Sequence, residues 1–223
     1  DCESGDLLAV GSSPSFDPNQ FVRGISSDAY NGLRNNVFGP LRAKAVQGTY
    51  APASTFKMVT ALAALENGVI RSDETVFCPG HLDIAGTRFH CWKRQGHGEM
   101  NLADSIIQSC DVFFYTIGQK VGIDKISDMA RRFGLGQHHD LPLSAISRGV
   151  APTPDWKQRS FDKGWLLGDT VNASIGQGYV LASPLQLAVM AARLATGRTV
   201  RPRLIQNIDG EVMPLGGGAQ LDV

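Results

Sequence analysis

Apolar positions along this chain gather into a few stretches with helical spacing, divided by long segments punctuated with glycine and proline. The clearest stretch is Thr55 to Leu65, rich in Ala, Leu and Met, with Pro52 just before it and an Asn67-Gly68 stop behind it. It predicts a helix with Ser54 at its N-terminus. Asn101 is a good N-cap for two further helical pieces, Leu102 to Gln108 and Val112 to Val121, interrupted at Ser109-Cys110-Asp111. Another helix is expected from Asp124 to Phe133, closed by Gly134. Ser183-Pro184-Leu185-Gln186 is a capping box with proline at the first helical position, opening a helix to Thr196 that Gly197 ends.

The remaining stretches carry weaker signals. Asp6 to Ser12 is apolar and β-compatible and leads into a turn-rich loop at Ser13 to Asn19. Asn31 to Gln47 reads as weak helix or coil. Val76 to Asn101 has little periodicity and predicts a loop-rich insertion or a short hairpin. Leu141 to Trp165 reads as an ordered surface loop, and Pro202 to Ile208 as a strand before a glycine-rich tail. With 223 residues, 43% hydrophobic content and 25 glycines, the chain suits one α/β or α+β domain with a real core.

Lys plus Arg equals Asp plus Glu at 21 each, so the summed charge offers nothing to nucleic acid or to an anionic membrane surface. No apolar run is long enough to span a bilayer and no signal-peptide pattern follows Asp1, so the chain as given is expected neither to cross a membrane nor to carry its own address.

The helix starting at Ser54 carries the strongest candidate chemistry. Residues three apart share a helix face, so Lys57 lies one turn from the Ser54 hydroxyl, where a neutral lysine takes its proton. Backbone N–H groups at the helix start favour negative charge on an attacked carbonyl oxygen. The same Ser-x-x-Lys also fits an ordinary N-cap with a first-turn lysine. Taken alone, Ser109 and Asp111 read as a hydroxyl at a helix break and an N-cap.

Cysteines supply a second candidate. Cys78, Cys91, His97 and Cys110 follow one another with twelve, five and twelve residues between them, a full set for tetrahedral zinc that would order the loop-rich segment at 76–101. A Cys78–Cys91 disulfide with Cys110 as a buried thiol, or free thiols throughout, are the competing readings. Cys2 stands apart, and His81 and His90 fit surface or turn positions. Trp92, Trp156, Trp165 and Tyr179 are expected to pack onto the core rather than line a groove.

Assembled in order, these motifs resemble the transpeptidase domain of class B penicillin-binding proteins, and within them the elongation-type penicillin-binding protein 2 group. The likeness runs nearly end to end, through Ser13 to Asn19, Gln47-Gly48-Thr49-Tyr50, Ser54-Thr-Phe-Lys57, Ser109-Cys110-Asp111, Gly168-Asp169-Thr170, Ser174 to Tyr179 and Pro184 to Ala188. It implies a penicillin-recognising, β-lactamase-like fold, an α/β (α+β) arrangement of helices on an antiparallel sheet. Residues 1–223 would be a single domain of this kind, holding the zinc-binding insertion. Ser54 would be the nucleophile, Lys57 its base, Ser109 the proton relay to a leaving D-alanine, and Asp111 the residue that holds Lys57 or the substrate amide. Thr170 and Gln177 would shape the substrate wall.

The activity implied is D,D-transpeptidation of peptidoglycan stem peptides ending in D-Ala-D-Ala, trapped by β-lactams, on the periplasmic face of the bacterial inner membrane. A membrane glycosyltransferase and the elongation scaffold would be partners. Some relatives hold zinc at the equivalent place with other ligand types. The family's third motif, Lys-Thr/Ser-Gly, is absent from the 223 residues, so the chain is expected to stop before it, and Ala53 stands where glycine is frequent. The competing functions are a non-catalytic, zinc-stabilised scaffold piece and a serine β-lactamase or penicillin sensor. Against the β-lactamase, Leu141 to Trp165 offers no glutamate to activate a deacylating water.

Overall fold

The computed structural model describes residues 1–222. The N-terminal part holds three short helices, α1 (Asn19–Val22), α2 (Ser27–Arg34) and α3 (Lys44–Gln47). Ser26 caps α2 by accepting from the Ala29 N–H at 3.2 Å. A 3-10 turn, Ala53–Phe56, then runs into α4 (Lys57–Glu66), whose Val59, Ala61, Ala63 and Ala64 are buried.

Four short strands follow: β1 (Val76–Cys78), β2 (His81–Ile84), β3 (Thr87–His90) and β4 (Gly98–Met100). They form two antiparallel ribbons, β1 with β4 and the β2–β3 hairpin. Ala85 and Gly86, with φ of 48° and 79°, close that hairpin in the left-handed turn that suits strand twist. The segment expected as loop or hairpin is thus two ribbons.

The core is built on α6 (Asp111–Val121), which packs against α4, α7 (Ile123–Arg132) and α9 (Leu167–Ser174). The short α5 (Leu102–Ile107) precedes it, capped by Asn101, whose side chain accepts from the Asp104 N–H at 2.8 Å. Gly118 permits the close crossing of α6 and α9, since a Cβ there would sit 2.4 Å from Ser174 Cβ. The buried Phe113, Phe114 and Ile117 of α6 fill the centre. Burying each side chain of this size contributes about 1.5–3 kcal/mol relative to leaving it in water. The helix α10 (Pro184–Thr196) has the expected capping box and ends at left-handed Gly197.

Three expectations fail. The strand at Asp6 to Ser12 reduces to one bridge, Asp6 to Arg203, because among the described residues only Arg203 bridges to it, and Leu8 is 81% exposed. The strand at 202–208 is likewise only that bridge and the two-residue β5 (Asn207–Ile208), paired with β6 (Glu211–Val212). The loop assigned to Leu141–Trp165 contains α8 (Pro154–Phe161), and α9 follows it unforeseen. Proline had argued for loop, yet Pro154 occupies the first turn behind the Thr153 cap, the same start signal as in α10.

Candidate active site

Ser54 sits in the 3-10 turn and is exposed, whereas Lys57 begins α4 and is buried. The turn is clamped from behind. Ala53, with φ of 50°, donates its N–H to the Gly176 carbonyl at 2.9 Å. A Cβ on Gly176 would lie 2.4 Å from the Ala53 carbonyl oxygen, so only glycine lets the chain after α9 approach this closely.

Lys57 Nζ donates to three oxygens: the Ser109 carbonyl at 2.8 Å, Ser109 Oγ at 2.9 Å and Asp111 Oδ1 at 2.6 Å. That uses every hydrogen of an ammonium group, and Nζ also lies 5.6 Å from the Phe114 ring centre. Ser109 is the break between α5 and α6, and its left-handed backbone, φ 52°, accompanies a carbonyl and a hydroxyl that both face Lys57. Its hydroxyl donates onward to Ser54 Oγ at 2.9 Å. Among the described hydrogen bonds, Ser54 therefore reaches Lys57 through Ser109 and not directly. In this arrangement donors run from Lys57 to Ser109 to Ser54. With lysine neutral, the same oxygens in reverse order carry a proton from Ser54 to Lys57.

Asp111 opens α6, and its second oxygen accepts from the Trp92 backbone N–H at 2.9 Å. The Trp92 indole donates to the Gln108 carbonyl at 3.0 Å, and its ring stands edge-on to His97. Trp92 is 62% exposed beside the site, against the expectation that it packs into the core. The other aromatic residues do pack together, Trp156 and Trp165 each meeting Tyr179. Tyr115, whose hydroxyl donates to the His90 carbonyl, has its phenol pushed well above the usual range by burial and by the nearby Asp111 charge.

Thr170 is buried and its hydroxyl accepts from the Trp165 indole at 2.8 Å. Gln177 is exposed on the turn after α9. Among the described residues no hydrogen bond joins either side chain to Ser54, Lys57, Ser109 or Asp111.

Behind Asp111 lie Cys78, Cys91, His97 and Cys110, whose potential ligand atoms are all within 4.8 Å of one another. The three thiols are buried and none is in a disulfide. His97 Nδ1 stands 3.6 Å from Cys78 Sγ and 3.5 Å from Cys91 Sγ, while its buried Nε2 has no hydrogen-bond partner. The Cys91 thiol is pulled below its ordinary range, first by the Cys110 thiol and then by the backbone N–H groups of Lys93, Asp111 and Val112. Cys110 moves up for the reciprocal reason and because it is buried.

Comparison with known proteins gives the family. Residues 1–219 match the family described as the penicillin binding protein transpeptidase domain. The chain belongs to that family. Among curated members it is 41% identical over 219 residues to peptidoglycan D,D-transpeptidase MrdA of Escherichia coli K12, covering 96% of this chain and 35% of the relative. The chain thus spans about a third of that transpeptidase's length. Solved penicillin-binding proteins superpose closely. Pseudomonas aeruginosa PBP2 in complex with WCK 5153 gives a TM-score of 0.89 at 38% identity, over 99% of this chain and 52% of that one. Helicobacter pylori PBP2 in complex with MreC gives 0.89 at 36%, over 96% and 40%. The fold is that of the penicillin-binding transpeptidases.

Several residues of this site leave little trace in the sequence. The backbone N–H of Trp92, the Phe114 ring and the steric demand at Gly176 all depend on tertiary approach. Only Gly176, inside Ser174-Ile-Gly-Gln-Gly, left a trace in the sequence.

Proposed function

We propose that this chain carries the acyl-transfer chemistry of a serine D,D-transpeptidase that cross-links peptidoglycan during cell elongation. The supporting observation is the unbroken hydrogen-bond chain Ser54–Ser109–Lys57–Asp111 in a member of this family. Ser54 Oγ attacks the carbonyl carbon of the D-Ala-D-Ala peptide bond, and its proton passes through Ser109 to Lys57. The C–N bond breaks, the proton goes to the departing D-alanine nitrogen, and an ester on Ser54 remains. An amine of a neighbouring stem peptide then forms the new amide, the C–O bond breaks, and Ser54 regains a proton. A β-lactam would acylate Ser54 in the first step and stay. Asp111 holds the Lys57 ammonium whenever the proton is there. The reading carries with it the periplasmic face of the inner membrane, a membrane glycosyltransferase and elongation scaffold proteins. Among the described residues no helix is long and apolar enough to cross a membrane.

Intact-mass measurement after incubation with a penicillin is the test. One adduct, absent in Ser54→Ala, is the expected result. Folded protein without any adduct overturns the reading.

Structural zinc held by Cys78, Cys91, His97 and Cys110 belongs to the same reading. A tetrahedral ion with ordinary zinc–sulfur and zinc–nitrogen bonds puts S and N ligands about 3.6 Å apart. The 3.6 and 3.5 Å separations fit that spacing, and a donor set of three thiols and one imidazole suits zinc. Bound there, zinc would brace the loop that presents Trp92 to Asp111. Protein purified without chelator should contain about one equivalent, and less than a tenth would sink this part.

A further inference from the structure

Lys157, on α8, is buried and takes no part in the hydrogen-bond chain at Ser54. Its ammonium donates to Asp169 Oδ2 at 2.6 Å and lies 5.8 Å from the Trp165 ring centre and 5.3 Å from that of Tyr179. Asp169 is in the first turn of α9, and the same oxygen accepts from the Leu166 N–H at 2.8 Å where that helix starts. Tyr179 lies beyond the other end of α9. One side chain therefore touches the first turn of an eight-residue helix and a ring five residues past its last.

The exit of α9 is joined to the nucleophile's turn. The Ser174 carbonyl accepts from Thr60 Oγ1 at 2.8 Å, and the Gly176 carbonyl accepts from the Ala53 N–H at 2.9 Å. The contact at Gly176 leaves no room even for a methyl group, so a displacement of α9 passes directly to Ala53 and Ser54. Stability alone does not account for the ion pair, since well-packed apolar replacements of buried pairs are often neutral or stabilising. A directional bond to the first turn of α9 and a cation facing a ring on the chain that leaves it specify where the helix lies.

We infer that Lys157 is a positioning residue for Ser54, acting through Asp169, α9 and the Gly176–Ala53 hydrogen bond. The inference rests on the transpeptidase reading. It is tested by comparing Lys157→Met and Lys157→Arg with the parent protein in two measurements, hydrogen exchange of the Ala53 amide and the separate binding and acylation constants for a penicillin. Lys157→Met is expected to speed Ala53 exchange by about tenfold relative to amides in α6. It should lower the acylation rate constant roughly ten- to hundredfold with little change in initial binding, and Lys157→Arg should recover most of both. Unchanged exchange at Ala53, or a rise shared equally with α6, overturns the inference. Should Lys157→Met not fold, Asp169→Asn, which keeps an acceptor for the Leu166 N–H, is held to the same outcomes. A parent protein that penicillin does not acylate defeats the transpeptidase reading by itself, and Ala53 exchange still decides the role of Lys157.

Discussion

Ser109 Oγ stands 2.9 Å from Ser54 Oγ and donates to it, so the described partner of Ser54 is a second hydroxyl, itself bonded to Lys57. Removing that hydroxyl cuts the proton path without touching either end. Ser109→Gly, which keeps the left-handed backbone available, is expected to slow acylation by roughly 10²- to 10⁴-fold with only a small change in stability. Stopped-flow labelling with a fluorescent penicillin, set beside a thermal melt, checks both halves.

Asp111 and Lys57 are an enclosed ion pair, their side chains 13% and 3% exposed. Asp111→Asn leaves the ammonium without its counter-charge and should cost about 3–5 kcal/mol. Urea unfolding at constant m-value measures it, and a loss under 1 kcal/mol would contradict the view of Lys57 as a buried cation that depends on this carboxylate.

Gly176→Ala asks for a side chain at φ 70° and within 2.4 Å of a carbonyl oxygen. Left-handed strain of about 1–2 kcal/mol and overpacking of about 1–3 kcal/mol should add, and acylation at Ser54 should fall with them. An unchanged melting temperature would show that the turn can yield.

Chelation offers a separate handle. Cys110→Ser, or prolonged treatment with a strong chelator, should loosen residues 78–97 and lower the melting temperature, with added zinc restoring the chelated protein but not the variant. Equal melting with and without chelator would speak against a structural ion.

His139 is buried, its Nε2 hydrogen donated to the Gly134 carbonyl at 2.9 Å. Burial pushes its pKa below the ordinary value, helped by Arg193 and His138. The folded state thus binds this proton less readily than the unfolded chain does. Its contribution is full above the ordinary histidine value of about 6.5 and is lost as the pH falls below it. His139→Gln should flatten the stability–pH curve between pH 5 and 7, measured by urea midpoints.

Side-chain caps make α5 and α10 readable, because local hydrogen bonding decides where those helices begin, and the Ala- and Leu-rich run before Asn67-Gly68 marks α4. Helix α8 is hidden for an equally local reason: a proline fits a loop as well as a first helical turn, and only the Thr153 cap before Pro154 separates the two. The strand at Asp6 failed because pairing depends on residues two hundred positions away. At the site, spacing put Ser54 and Lys57 on one turn and grouped the cysteines with His97. That Ser109 stands between nucleophile and lysine follows from a left-handed residue at a helix break, which composition does not announce.

The Ala53–Phe56 turn and the break at Ser109 lie 55 residues apart, and they meet only once α4 and α6 have packed. A nascent or partly unfolded chain therefore carries an ordinary serine with no proton acceptor beside it. If penicillin acylates Ser54 as proposed, that reactivity reports completed tertiary structure, and a pulse of labelled drug during refolding would time the docking of these two helices.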